Sequence, residues 1–365
     1  MRQVTSEWGV ATVAIRQLLR QRVISPWRVE AEGWRRLAGV PLGVGSVAFN
    51  MLPIRSSWGG GNQWALQLIR FLASHGFRVS FDLNSAVDLI ILVDPRLGGL
   101  VKFGPEEIKT YKEVYPRTLC LHRINECDKR KNTREMDTLL QEANQVADFT
   151  VFISEWLLKY HAERWFDKKK PHCVIYNGAD PAIFHPMRSD VYSSDKPLRL
   201  VTHHWSDNWN KGFEVYQELD RLIADGELAH TEFWVIGRWP KEIHWKKAKK
   251  FGPTRGKSLA NLLRQCHLYV TASLWEPGGM HHIEGAQCGL PVIYHEDGGG
   301  IVEGASRYGI AFRQDVKQAV LDAREHYADL RMKVLQYSPS GTKMCLDYLR
   351  IIQKLIAEER TQSEG

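Results

Sequence analysis

The chain has 365 residues, 44% hydrophobic and 25% charged, which is the composition of an ordinary globular protein and long enough for two packed domains. No run of about 18 apolar residues is present, which excludes a membrane-spanning helix, and the opening residues lack the pattern of a signal peptide. The formal net charge of +7 favours anionic partners such as phosphates, membrane surfaces or nucleic acid, without choosing among them.

The first segment, residues 1–43, combines seven arginines with three glutamates and three tryptophans. This composition predicts a helical N-terminal extension. Two interpretations remain open, namely a basic amphipathic helix lying on an anionic membrane, and an extra helix packed on the first domain with its arginines in water.

The next segment, residues 44–190, alternates apolar strand-like and helical stretches and is predicted to be the first Rossmann-like domain. Helices are expected at 62–76, at 132–147 and from Glu155 onward. The predicted buried strands are 44–52, 78–83, 89–94, 118–124, 149–154 and 173–178.

A polar linker at 187–197 precedes a second alternating region, residues 197–335, which predicts a second Rossmann-like domain facing the first across a cleft. The C-terminal segment, 336–365, is expected to be a helix that packs back toward the N-terminal domain. The strands predicted here are 198–202, 233–237, 267–273, 290–296 and 309–312. One predicted helix begins at Lys211 and a short one follows Met280, and further helices are predicted over 257–265, 314–335 and 342–359.

The six cysteines lie far apart, mostly in apolar stretches, and form no CxxC pair. This pattern favours reduced, partly buried thiols in a cytoplasmic protein over a metal site or a disulfide framework. They are Cys120, Cys127, Cys173, Cys266, Cys288 and Cys345.

Glycine loops follow three predicted strands, at the sheet edge where open α/β domains bind ligands. The first loop is Gly59, Gly60 and Gly61, and the third contains Gly298 and Gly299. The second, EPGGMHHIE, begins at Glu276 and ends at Glu284 within a short helix. Carboxylates beside exposed backbone amides suit a ligand with both hydroxyls and phosphates, because the carboxylates accept hydrogen bonds and the amides hold negative oxygens.

The block EPGGMHHIEGAQCGLPVI, starting at Glu276, resembles the paired-glutamate signature of GT-B glycosyltransferases, specifically the retaining family 4 (group 1) type. The resemblance extends over about 44–335. Supporting motifs are VIYNGADPAIFHP (174–186), DGGGIVE (297–303), VFISEWL (151–157) and NKGFEVY (210–216).

The resemblance implies a nucleoside-diphosphate sugar, UDP- or GDP-linked, as donor substrate, with no further cofactor and no metal. Glu276 and the amides at Gly278, Gly279 and Met280 would hold the donor sugar and pyrophosphate. Glu284 would hold the ribose diol.

Further roles are implied on both sides of the cleft. Lys211 would neutralise the leaving diphosphate, and His122 would face the sugar from the N-terminal domain. Residues 252–258 fall where backbone groups of the family usually recognise the nucleotide base. Gly59, Gly60 and Gly61 match the glycine loop of the N-terminal domain near phosphate and acceptor. Gly298, Gly299 and Arg238 are also expected to bind the donor.

One position departs from the family pattern, because no arginine precedes Lys211 where the family has one. We considered His203, His204 and Arg238 as substitutes. A metal pair at His281 and His282 is rejected, since adjacent helical residues point in different directions.

The predicted function is sugar transfer, with retention, to a glycan, glycolipid or similar hydroxyl acceptor, by a cytoplasmic enzyme with a possible peripheral contact to anionic membrane. The alternatives are a GT-B enzyme of epimerase or phosphorylase type, and a non-catalytic protein that uses the same fold for binding. Nucleic acid is the least favoured partner, because no nucleic-acid-binding motif occurs in the sequence.

Overall fold

The computed structural model of the chain describes residues 44–54, 59–337 and 339–362. Within these ranges the strands form two six-stranded sheets in which all neighbours run parallel. The prediction of an α/β fold with two Rossmann-like domains is confirmed. The predicted helical extension, 1–43, lies outside the described residues.

The N-terminal sheet has the order β2-β1-β3-β4-β5-β6. Its central strands are nearly continuous apolar segments such as LIIL, as expected for a parallel sheet covered on both faces. The strands are β1 (Gly45–Phe49), β2 (Phe77–Ser80), β3 (Leu89–Leu92), β4 (Leu119–Ile124), β5 (Phe149–Phe152) and β6 (His172–Val174).

The helices of this domain differ from the prediction at two places. A helix at Pro105–Val114 was not predicted, and the helix predicted over 132–147 starts later, at Met136, after a separate short helix at Asp128–Lys131. The short helix ends because Asn132 takes a left-handed φ of 55°, and the carboxylate of Asp128 accepts hydrogen bonds from the amides of Met136 and Asp137 at 2.9 and 3.1 Å, which starts the next helix. The helices are α1 (Gly60–Ser74), α2 (Pro105–Val114), α3 (Asp128–Lys131), α4 (Met136–Ala143) and α5 (Glu155–Ala162).

The C-terminal sheet has the order β12-β11-β10-β7-β8-β9. Its strands are β7 (Leu198–His204), β8 (Thr231–Gly237), β9 (Lys249–Phe251), β10 (Leu268–Thr271), β11 (Val292–His295) and β12 (Gly309–Phe312). Its helices are α6 (Phe213–Ala224), α7 (Gly256–Leu263), α8 (Met280–Gln287), α9 (Gly300–Ala305), α10 (Val316–Glu325) and α11 (Tyr327–Tyr337).

Two helix predictions in this domain are corrected. The helix expected from Lys211 begins at Phe213, because Lys211 ends a short 3-10 turn and Gly212 follows with φ of 83°. The helix expected over 314–335 is divided at His326 into α10 and α11.

The last helix, α12 (Gly341–Gln362), returns to the N-terminal domain. Met344, Tyr348 and Ile352 are buried in one hydrophobic core with Val47 and Trp64. The N-terminal domain is thus built from two separate parts of the chain.

The chain crosses between the domains twice, and the two crossings lie side by side. The amide of Gly341 donates to the carbonyl of Ala179 at 2.8 Å, and Ala179 forms a parallel bridge with Ser340. A Cβ at Gly178 would lie 2.3 Å from the carbonyl carbon of Ser340, so this contact requires glycine. The two crossings form a compact, hydrogen-bonded junction.

The C-terminal sheet reverses its strand order between β7 and β10, because β8 and β9 continue on one side of β7 and β10 to β12 on the other. Ligands of open α/β sheets bind outside the carboxyl ends of the strands at such a reversal. Lys211 follows β7 and Glu276 follows β10, so both flank this point.

Candidate active site

Glu276 is held at the carboxyl end of β10 by the neighbouring glycine loop. Its amide donates to the carbonyl of Gly298 at 3.2 Å, and its carbonyl accepts from the amide of Gly300 at 2.8 Å. Trp275, directly before it, has a left-handed φ of 50°, which is strained for a bulky residue. The two predicted glycine loops of the C-terminal domain therefore form one structure that fixes the Glu276 carboxylate.

The carboxylate of Glu276 lies at the centre of an ion-pair cluster that joins the two domains. Its Oε2 contacts Lys211 Nζ, and its Oε1 lies 3.1 Å from Nε of Arg130, on α3 of the N-terminal domain. Arg130 Nη1 and Lys131 Nζ contact Oε2 of Glu126 at 2.8 and 2.9 Å. We call these five residues, with three cations and two carboxylates, the cleft cluster.

Electrostatics in the cleft cluster keep Glu276 ionised although it is only 4% exposed. Burial alone would raise its pKa, but Arg130 and Lys211 together outweigh burial and hold the pKa at about 2. Burial also lowers the pKa of Lys211, while the Glu276 carboxylate opposes that shift. The pair therefore offers an acceptor for hydroxyls directly beside a cation for phosphate.

The three candidates for the missing arginine do not lie in the cleft cluster. Nε2 of His203 is 2.8 Å from Oε2 of Glu284. His204 is buried against Tyr216, and burial lowers its pKa well below the ordinary value, so it is neutral at pH 7. Arg238 is exposed and donates to the carbonyl of Trp205 at 2.8 Å. The arginine that contacts Glu276 is Arg130, which was not predicted.

Glu284, on α8, lines a cavity of about 140 Å³. The side chain of Glu284 is 6% exposed and is fixed by His203, which is also hydrogen-bonded to the hydroxyl of Tyr269 at 3.1 Å. The cavity lies between α1 of one domain and the C-terminal domain. Its walls include Gln63, Gln67, Asp180, Trp205, Arg255 and Gly256.

His122 occupies a different environment from the one predicted. It lies two residues before the end of β4, is fully buried, and has its Nδ1 3.2 Å from Nδ2 of Asn144. Burial and the nearby His161 lower its pKa to about 3. Asn144 follows α4 and covers the sheet, so the structure places His122 in the domain interior instead of at the cleft.

Several glycines and one asparagine bring the two domains into contact. Nδ2 of Asn177, from the interdomain segment, donates to the carbonyl of Gly278 at 2.6 Å. A Cβ at Gly278 would lie 2.9 Å from Cδ1 of Ile153, so a larger residue here would require the Ile153 side chain to shift. Gly60 faces the side chain of Met280 in the same way. The predicted glycine loops thus face one another across a closed cleft.

A second interdomain contact lies next to the first, at the start of α5, where Ser154 also faces Gly300. The carboxylate of Glu303, on α9, accepts from the amides of Glu155 and Trp156 at 3.0 and 2.5 Å. These amides open α5, and Ser154 Oγ accepts from the third, Leu157, at 3.1 Å. A carboxylate from one domain thus caps a helix of the other, where the helix dipole favours negative charge.

Within the described ranges, no group of three or more His, Cys, Asp or Glu is arranged to hold a metal ion. No helix among the described residues is long and apolar enough to cross a membrane. All six cysteines are free, as predicted, and five of them are buried.

The sequence profile of the glycosyl transferases group 1 family matches residues 242–320, which contain the paired glutamates. A probable sucrose-phosphate synthase of Thermosipho melanesiensis is 27% identical over 203 residues, covering 50% of this chain and 47% of that protein. The chain therefore spans about half the length of the curated relative it matches.

Solved structures share the fold over most of the chain. Sucrose-phosphate synthase from Thermosynechococcus elongatus has a TM-score of 0.62 at 16% identity, covering 86% of this chain and all of that one. HepE of Anabaena, in complex with UDP and glucose, has a TM-score of 0.60 at 14% identity, covering 85% of this chain and 100% of that one. WaaG, a glycosyltransferase involved in lipopolysaccharide biosynthesis, has a TM-score of 0.58 at 12% identity, covering 84% of this chain and 99% of that one.

The family match, the shared fold and the position of the paired glutamates agree with one another, and they confirm the resemblance predicted from the sequence. The chain has the GT-B fold, and residues 242–320 of its C-terminal domain match the group 1 glycosyl transferases.

Proposed function

We propose that the protein is a glycosyltransferase that moves a sugar from a UDP- or GDP-linked donor to a hydroxyl acceptor, with retention at the anomeric carbon, as in family 4. The observation that carries this proposal is the pairing of Glu276 with Lys211 at the strand-order reversal, next to a cavity lined by Glu284. HepE, which shares the fold, was solved with UDP and glucose, which supports a nucleoside-diphosphate sugar as the donor.

The donor can be placed by matching its chemical groups to the site. The nucleoside would occupy the cavity, where Glu284 accepts from the ribose hydroxyls, and Trp205 and the backbone at Arg255 and Gly256 surround the base. The sugar hydroxyls would donate to Glu276. The diphosphate between them would meet Lys211 and the backbone amides that open α8.

The reaction breaks the bond between the anomeric carbon and the diphosphate oxygen, and the electron pair leaves with the diphosphate. A bond then forms from the acceptor oxygen to the same carbon, and the acceptor's proton passes to the leaving diphosphate oxygen. Negative charge grows on the leaving group in the transition state, so a cation fixed beforehand lowers the barrier. Lys211 is fixed in this way by Glu276. His122 has no place in this scheme, because its ring is fully buried.

A test separates the two halves of the donor site. We expect Glu276→Gln to remove turnover of the sugar donor while UDP or GDP still binds, because the change affects the sugar hydroxyls. We expect Glu284→Gln to weaken binding of the free nucleoside diphosphate by roughly 10- to 100-fold, through lost hydrogen bonds to a charged group. The measurements are donor turnover and calorimetry.

The matched control is Glu296→Gln, which removes an exposed carboxylate that pairs with Arg313 after β11. This variant should behave as the wild type in both assays. Full donor turnover by a folded Glu276→Gln variant would refute the proposed function. Release of free sugar from the donor without any acceptor would favour an epimerase-type enzyme.

On the acceptor side, we propose a glycan or lipid-linked acceptor, as in polysaccharide biosynthesis, reached by peripheral contact with anionic membrane. The support is the composition of residues 1–43, with seven arginines against three glutamates. A cytoplasmic setting is supported by the six free cysteines.

A further inference from the structure

The diphosphate site needs more positive charge than the C-terminal domain supplies. The segment between β7 and α6 contributes one cation, Lys211. The ammonium group of Lys211 is already in contact with the carboxylate of Glu276, at the distance where a phosphate would bind. The two histidines at the end of β7, His203 and His204, face Glu284 and Tyr216 instead. The second charge has to come from another part of the described chain.

Arg130 is held firmly in the position where that charge is needed. Its carbonyl accepts from Nδ2 of Asn210, next to Lys211, at 2.9 Å. Its Nη1 is bonded to Glu126 at 2.8 Å, and its Nε faces Glu276 at 3.1 Å. Both the backbone and the guanidinium are therefore fixed before any ligand arrives, which is the arrangement that lowers the cost of binding.

The guanidinium has both the charge and the access to meet a phosphate. Its side chain is 24% exposed, against 6% for Glu276, so part of it is accessible to a ligand. An arginine offers five N–H donors in a planar fork that matches phosphate oxygens, and the contacts described above use Nε and Nη1.

We infer that Arg130, from the N-terminal domain, is the second diphosphate-binding cation, and that it replaces an arginine absent from the C-terminal domain. This inference rests on the proposed donor binding. Because Arg130 lies beside the carboxylate that would take the sugar hydroxyls, it would contact the β-phosphate, which carries the sugar. Phosphate oxygens would take Arg130 and Lys211 as partners while the sugar hydroxyls take Glu276.

The phosphate site is divided between the two domains, which links donor binding to closure of the cleft. Lys211 and Glu276 belong to one domain and Arg130 to the other, so the phosphate site is complete only when the cleft is closed. Donor binding and domain closure are therefore coupled, and the leaving diphosphate is stabilised by both domains at once.

The test compares nucleotides with and without the β-phosphate. Calorimetry with UDP and UMP, and in parallel GDP and GMP, should show diphosphate affinity reduced by roughly 10- to 100-fold in Arg130→Met, with monophosphate affinity unchanged. Arg130→Lys should recover part of the loss. Ethylguanidinium, added below denaturing concentrations, should restore donor turnover to Arg130→Met and leave the wild type unaffected.

Arg134→Met is the matched control, because Arg134 is an exposed cation four residues along the chain. Equal loss of mono- and diphosphate affinity in Arg130→Met, or no loss at all, would overturn the role of Arg130 while the proposed function stands. A wild-type protein that binds none of the four nucleotides would instead overturn the proposed donor and this inference with it.

Discussion

At the scale of single residues, the most unusual feature is a group of neutral histidines packed behind Glu276. Burial lowers the pKa of His204 and His281 well below the ordinary value, and it lowers the pKa of His282 to about 4. The rings of His204 and His281 are 5.0 Å apart, and those of His281 and His282 are 5.7 Å apart. Protonation of one would place a charge among the others.

These histidines predict that the protein loses stability in mild acid. Between pH 6.5, the ordinary histidine pKa, and about 4, the unfolded chain takes up protons that the folded protein does not. The free energy of unfolding should fall by up to about 1.4 kcal/mol per pH unit for each buried histidine. Urea denaturation at pH 5 and pH 7 measures the effect.

The variant His282→Gln should reduce this pH dependence, whereas replacing the exposed His326 by glutamine should leave it unchanged. Glu276 does not interfere above its ordinary pKa of 4.5, because its stabilising contribution is lost only as pH falls from there toward 2. An identical pH slope in His282→Gln and wild type would contradict the assignment.

At the scale of helices and strands, the start of α5 forms a direct hydrogen-bonded link between the domains. We expect Glu303→Ala to lower the free energy of unfolding by about 1 kcal/mol, because the amides of Glu155 and Trp156 lose a charged acceptor. It should also loosen the cleft, seen as a larger radius of gyration in small-angle scattering.

The control for this prediction removes a carboxylate from the same helical turn. Glu155 is exposed and its side chain lies in the first turn of α5. Glu155→Ala should leave the radius of gyration unchanged. If both variants expand equally, the interdomain cap is not what holds the cleft closed.

The sequence predicts most strands well, because parallel strands buried on both faces appear as continuous apolar segments. It misses α2, where only Ile108 and Tyr111 of ten residues are buried, and β9, whose sequence is KKF. The donor-binding roles predicted for Glu276 and Glu284 stay predictions; the structure places Glu276 in the cleft cluster and Glu284 on the wall of the cavity. The contact of Arg130 with Glu276 could not be predicted, since it depends on how the domains close and not on local sequence.

At the scale of the whole molecule, the uneven charge of the chain gives a further prediction. Four of the seven excess positive charges fall in residues 1–43, because this segment contains seven arginines and three glutamates. Deleting 1–43 should weaken binding to anionic vesicles by roughly 1 kcal/mol for each basic residue that contacts the surface. Sedimentation with phosphatidylserine vesicles at low and physiological salt measures this, and neutral vesicles are the control. Unchanged binding after the deletion would refute the proposed membrane contact.

The paired crossings between the domains have a consequence for how the protein is made. The sheet of the C-terminal domain and its helices come from one continuous segment, whereas the N-terminal domain is completed by α12, whose Tyr348 packs on Trp64 with ring centroids 5.3 Å apart. Domains synthesised first usually fold first. Here the whole segment of the second domain leaves the ribosome before α12 does, so the first domain still exposes the apolar surface that α12 covers. The first domain is therefore completed only after the second.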